Sequence, residues 1–192
     1  MSNTSNSLEL GLDDTRFFQL AIGKRVLKKQ VYKATGTIPI YSANVTIPFG
    51  YTNKTPANFD PQKPHVLWGI DSYFELTVKQ KGEIFVQTDH CGSVAVMVPD
   101  IVPEYIWYQM NRLKAKLDFD RTWRPSLKNM KKVKVRMPII SQDAGSVKFD
   151  VTEQERIAKK FKAVQSAKRK LQILQGEIEQ LEEQADKVIL EA

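Results

Sequence analysis

Two hydropathy patterns divide the chain. Up to about residue 150, short apolar runs alternate with polar stretches, and Pro or Gly recurs between them. Beyond residue 150 there is no Pro and a single Gly, Gly176. The runs Ile38–Tyr41, His65–Ile70, Phe74–Val78, Ile84–Thr88, Val94–Val98 and Val133–Arg136 are rich in β-branched and aromatic residues. Each is bounded by turn-forming or polar residues, so each is predicted to be a strand. Between Pro103 and Leu117, apolar residues at 106, 110, 113 and 117 step by 4, 3 and 4, which predicts a helix with Pro103 in its first turn. Ser126 is expected to cap a short turn at Leu127–Met130.

The C-terminal pattern has another period. Thr152-Glu-Gln-Glu155 has the form of a capping box, with Thr152 as N-cap. Apolar residues then follow at Ile157, Phe161, Val164, Ala167, Leu171, Leu174, Ile178, Leu181, Ala185 and Val188. From Val164 onward the steps alternate between 3 and 4, the seam of a coiled coil. Such a helix makes a rod of roughly 57 Å. A domain of this size cannot cover that stripe along its full length, so the stripe needs a partner helix. The expected fold class is therefore a mixed α/β domain over residues 1–150, followed by one long coiled-coil helix over 151–192.

Charge sharpens this division. Of the 29 Lys and Arg and 22 Asp and Glu, residues 151–192 hold 8 of each, so the net +7 lies entirely on residues 1–150. A surface of that sign suits an anionic partner such as nucleic acid. Within the helix the charges separate. Residues 156–170 carry seven basic residues and no acid, and residues 176–192 carry six acids and only Lys187 as a base. Two copies laid antiparallel match opposite charges, whereas two parallel copies oppose like charges. Each exposed pair contributes only a few tenths of a kcal/mol (about 0.2–1), but together they select orientation. The residues expected in a dimer interface are Ile157, Phe161, Val164, Leu171, Leu174, Ile178, Leu181 and Val188. The partner can be a second copy or a different chain.

Catalytic signatures are missing from the sequence. There is no Gly-rich loop followed by Lys-Ser/Thr, no Asn-Pro-Pro-aromatic tetrapeptide, and no Glu-x-Lys or Asp-x-Lys. Asp89-His90-Cys91 is the one suggestive cluster, but adjacent strand residues point to opposite faces. His90 is expected to be a polar residue near a strand end, with Cys91 buried. A single cysteine excludes a disulfide within the chain and a cysteine-rich zinc site, so no metal or cofactor is expected. A polar N-terminus and the lack of a long apolar run point to a cytoplasmic chain with no membrane contact.

Three stretches carry a resemblance to a known family. Gly36-Thr-Ile-Pro-Ile-Tyr-Ser-Ala-Asn44 with Pro48-Phe-Gly50 looks like the opening of a target recognition domain of type I restriction-modification specificity (S) subunits. Gly82–Pro99, with Phe85-Val-Gln-Thr-Asp-His90, then Tyr105-Ile-Trp-Tyr108, is similar to the central strand-then-helix passage of these domains. Arg124-Pro-Ser-Leu-Lys-Asn-Met130, Val133–Pro138 and Glu153-Gln-Glu-Arg-Ile-Ala158 resemble their exit into a long helix. The likeness covers about residues 15–190 and rests on the order and spacing of these stretches.

The resemblance implies a non-catalytic DNA reader. S subunits usually hold two recognition domains, each reading half of a bipartite site, and two antiparallel helices. The helices space the domains and dock methyltransferase (M) subunits, and restriction (R) subunits complete the enzyme. This chain has one domain and one helix. It corresponds to half of that plan, either as a homodimerising half-subunit or as a fragment of a longer chain. A symmetric dimer would read an interrupted palindrome.

In that reading, Lys24, Arg25, Lys28, Lys29, Arg121, Arg124 and Lys128 are candidate phosphate contacts on double-stranded DNA. Asn44, Tyr51, Asn53, Lys54 and Asn58 are candidate base readers, with His90 and Ser42 as weaker ones. Single surface lysines often only solvate a strand edge. Trp68, Trp107 and Tyr108 are expected in the core. Two other readings stay open: a coiled-coil adaptor with a basic surface, and a recognition segment of a fused methyltransferase-nuclease.

Overall fold

The structure, a computed structural model, describes residues 6–27, 31, 36–56, 60–71, 74–117, 124–143 and 145–190. The chain forms two compact units, Met1–Glu155 and Arg156–Ala192.

Among the described residues, the first unit holds ten strands, with helices at Pro103–Leu117 and Leu127–Met130, in mixed order. A four-stranded antiparallel sheet holds β2 (Phe18–Ile22), β8 (Cys91–Val96), β5 (His65–Gly69) and β6 (Leu76–Lys79), in the order β2-β8-β5-β6. The two central strands are buried at every residue, as an apolar run without alternation requires. A second sheet has the order β4-β3-β7, from β4 (Gly50–Thr52), β3 (Ile38–Tyr41) and β7 (Val86–Gln87), and its β3–β7 pair is parallel. Tyr41, Val45, Leu67, Phe85 and Cys91 form one buried cluster drawn from both sheets and their loops.

A third sheet joins β1 (Ser7–Gly11), β9 (Lys134–Asp143) and β10 (Ser146–Phe149). The strand expected at Val133–Arg136 runs through Pro138 to Asp143. A proline cannot donate to a ladder and is confined to edges and interruptions of pairing. The strand tolerates it because β1 pairs with Lys134–Pro138 and β10 with Ile139–Asp143, so Pro138 sits where one neighbour gives way to the other.

Helix α1 (Pro103–Leu117) has the expected bounds and packs on β5, β6 and β9, with Ile106 and Met110 fully buried. Helix α2 (Leu127–Met130) is capped as expected, with the Ser126 side chain accepting from the Asn129 amide. The strand expected from Phe74 starts only at Leu76. Phe74 has a positive φ of 50°, a left-handed conformation that no strand residue adopts.

Helix α3 (Val151–Leu190) is 40 residues long. Its cap is not Thr152. Asp150 is the N-cap: its carboxylate accepts from the Glu153 amide at 2.9 Å, and its carbonyl accepts from the Gln154 amide at 3.1 Å. The helix begins one residue before Thr152, so the aspartate takes the position from which a side-chain oxygen reaches the orphan amides. Gln154 is completely buried in this first turn, accepting from the Val102 amide at 2.9 Å and donating to the Asp100 carbonyl at 3.0 Å.

Candidate nucleic-acid interface

One end of the four-stranded sheet gathers polar groups from distant parts of the chain. Ile22 at the end of β2 pairs with Gly92, and Gly69 at the end of β5 pairs with Cys91 at the start of β8. The Gly23 amide donates to Cys91 O at 3.3 Å, and the Ile70 amide donates to His90 O at 3.0 Å. Lys24 and Arg25, Asp71, and Asp89 with His90 therefore leave the sheet at the same end. The approach is close: a Cβ at Gly23 would stand 1.9 Å from the Gln87 carbonyl oxygen, so the backbone passes there only as glycine.

The second sheet delivers a further loop to this end. Tyr41 pairs with Gln87, the Thr88 amide donates to Tyr41 O at 2.9 Å, and the Thr88 hydroxyl meets Ser42 Oγ at 2.9 Å. The loop that follows Ser42 turns on Asn44. Its side-chain oxygen accepts from the Thr46 amide, the Thr46 hydroxyl and the Ile47 amide, at 2.8–2.9 Å. A bidentate adenine contact needs both an amide oxygen and an amide nitrogen. The turn already occupies the oxygen of Asn44 with three donors, so such a two-atom contact through Asn44 would compete with the turn.

Arg124 arrives from a third direction. Its guanidinium pairs with Asp71 Oδ1 at 3.1 Å, while His90 Nδ1 bonds Asp71 Oδ2 and His90 Nε2 lies 3.7 Å from Asp89. The backbone beneath it is fixed. The Arg124 carbonyl accepts from the Ser126 amide at 2.7 Å and from the Asn129 side chain at 2.9 Å. The next carbonyl, of Pro125, accepts the indole N–H of fully buried Trp68 at 2.7 Å. Trp68 is thus core, as expected, and it also anchors this segment. Lys128 is exposed on α2, which packs beside β2.

The remaining candidates lie elsewhere or outside the described residues. Tyr51, on β4, is 46% exposed; Asn53 accepts from the Thr37 amide at 3.3 Å; Lys54 is exposed just beyond the strand. Lys28, Lys29, Asn58 and Arg121 fall outside the described residues. Sequence reasoning sought cations and amides, and it passed over Asp71, an acid that binds two of the collected side chains. Nothing in the sequence marks that role, because its partners come from positions 90 and 124.

In the second unit the seam is open. Val164, Leu171, Leu174, Ile178 and Leu181 are each at least half exposed, Ile157 and Phe161 are half-buried, and at Val188 only the helix backbone is described. Ile173, off the seam, is exposed as well.

The Asp89-His90-Cys91 cluster does not form a nucleophile pair in this structure. Cys91 is fully buried, and burial pushes its thiol up to about 12, so it stays protonated at neutral pH. Among the described residues no three His, Cys, Asp or Glu side chains group as metal ligands, and no helix is long and apolar enough to cross a membrane.

No family model matches the chain, and no curated protein matches it. Solved structures do. The S subunit of the type I restriction-modification system of M. genitalium superposes with a TM-score of 0.57 at 15% identity, over 86% of this chain and 41% of that one. The HsdS subunit of Thermoanaerobacter tengcongensis gives 0.60 at 11% identity, over 87% and 39%. A chain from a structure of type I R-M complex assembly gives 0.61 at 11% identity, over 92% and 44%. The fold is that of a type I S subunit. The chain spans about two-fifths of the length of each chain it matches (39–44%). The S-subunit fold takes in both the α/β domain and the long helix, as the sequence resemblance implied.

Proposed function

We propose that the chain is a non-catalytic DNA-reading subunit of a type I restriction-modification enzyme, half of the usual S plan. Its α/β domain reads one half of a bipartite duplex site. Its long helix pairs antiparallel with that of a second copy and assembles M and R subunits in the cytoplasm.

The observation that carries this reading is the S-subunit fold over 86–92% of the chain. Charge supports it, because the whole net +7 belongs to residues 1–150. The candidate phosphate contacts Lys24, Arg25 and Arg124 lie at the sheet end described above, and Lys128 is exposed on the short helix that follows Arg124. Phosphate neutralisation by such residues supplies most sequence-independent affinity. The open seam supports the pairing, since five apolar side chains at 50–64% exposure call for a cover.

Two measurements test the proposal. Light scattering on the full chain is expected to give twice the 22.0 kDa chain mass. Substituting Leu171 and Leu174 with Glu is expected to return it to one chain mass. A monomer across the micromolar range contradicts the dimer. Duplex binding is expected to exceed heparin binding in sequence preference, not merely in salt slope. Equal slopes with no preference would favour the adaptor reading.

A further inference from the structure

The grouping of Arg124, Asp71 and His90 is unusual for a phosphate contact. A phosphate site gathers cations, and each nearby carboxylate weakens it. Here the arginine is 3.1 Å from Asp71, and the histidine on the other oxygen of Asp71 also lies 3.7 Å from Asp89. Within this cluster of contacting side chains, the two carboxylates outweigh the single guanidinium charge.

The same arrangement suits a different task. A guanidinium offers five donors in a planar fork, and the Asp71 contact engages one amino group. Carboxylate bracing restricts a long side chain that otherwise loses rotamer entropy when it binds. The brace stands on a rigid base: Asp71 follows β5, and the Arg124 segment is tied through Pro125 to buried Trp68. The Arg124 side chain is nevertheless 59% exposed. A charged group that is exposed but held at both its backbone and its head is preorganised for a partner outside the protein.

We propose that Arg124 reads a guanine edge in duplex DNA, and that Asp71 is the positioning residue that aims it. This rests on the DNA-reading function proposed above and narrows it. Arg124 moves from the phosphate contacts to the base readers. The major-groove edge of guanine presents two acceptors, N7 and O6, which match a guanidinium fork. His90 holds the second oxygen of Asp71 and so fixes the carboxylate plane.

The test is selection of binding sites from a randomised duplex pool by the full chain, followed by affinities for the selected duplex and its single-base variants. The wild type is expected to select a motif with a required guanine, preferred about 10-fold or more over other bases. Arg124→Ala is expected to lose that preference while the other positions keep theirs. Arg124→Lys keeps the charge and restores general affinity without restoring the guanine preference.

Asp71→Asn gives the sharpest readout. It removes a negative charge, so affinity for random duplex holds or rises, while the guanine preference falls several-fold. A merely structural role would lower both. Uniform weakening by Arg124→Ala with an unchanged motif would make Arg124 a phosphate contact and overturn the proposal. Loss of both affinity and preference in Asp71→Asn would overturn the positioning role. If the wild type selects no motif at all, the DNA-reading function itself fails and this inference goes with it.

Discussion

Gln154→Leu removes the two side-chain bonds that tie the start of the long helix to the Asp100–Val102 segment. The amide side chain is fully buried and bridges Val102 N–H at 2.9 Å and Asp100 C=O at 3.0 Å. Leucine fills a similar volume but makes neither bond. The two losses differ. Asp100 is exposed, so water can reach its carbonyl and the loss is near the net value of one hydrogen bond, about 1 kcal/mol. The Val102 amide is half-buried beside buried Ile101, so stranding it costs somewhat more than the net value of one bond, within about 1–3 kcal/mol. Leucine's better transfer from water offsets part of this, leaving about 2 kcal/mol. That is a large fraction of a typical stability of ~5–15 kcal/mol. Urea unfolding followed by tryptophan fluorescence would show a lower midpoint with an unchanged slope. Lys159→Ala, on the exposed side of the same helix, serves as a control near zero. If Gln154→Leu unfolds within about 0.5 kcal/mol of wild type, the reasoning on these two bonds is wrong.

Other predictions address the core of the first unit. A Cβ at Gly92 would stand 2.2 Å from the Trp68 ring, so Gly92→Ala forces a fully buried indole to move. The expected cost is about 1–3 kcal/mol, read as a lower melting temperature, and no change would show that the sheet has slack there. Cys91 should stay unreactive to a thiol reagent at pH 8 until denaturant is added, because burial keeps it a thiol up to about 12. Rapid labelling of the native chain would contradict that. His65 is 7% exposed, and burial holds its imidazole below the ordinary value of 6.5. Between its folded and unfolded values the unfolded chain binds more protons. Stability from this group is thus complete above 6.5 and falls as pH drops below it, by at most roughly 1.4 kcal/mol per pH unit. The same unfolding series on His65→Leu should lose that slope near pH 6; an unchanged slope would assign it to other groups.

Local signals read well and distant ones did not. Helix α1 was legible to the residue because its apolar stripe and Pro103 lie within fifteen residues. Strand β3 and the Ser126 cap were legible for the same reason. Strand β1 was not, since Ser7–Gly11 offers only Leu8 and Leu10 as a pattern and finds its partner at Lys134–Pro138. Strands β4 and β10 were missed too, being short and half-polar, as was β2, a five-residue apolar run with few β-branched residues. The helix cap was misplaced by two residues because Thr152 and Asp150 are both good caps, and only the geometry separates them. The polar collection at the sheet end could be named in part, through Lys24, Arg25, Arg124 and His90. Its organising residue could not, because Asp71 acquires its meaning only when β5, β8 and the segment before α2 come together.

Site selection meets both the proposed DNA-reading domain and the proposed self-pairing helix in one measurement. The motif selected from a randomised duplex pool by the full chain should be an interrupted palindrome, two inverted copies of one short half-site, because the two-fold axis of the dimer passes to the DNA. A single undivided asymmetric motif would contradict the symmetric dimer. Binding without any selected motif would contradict the reading function.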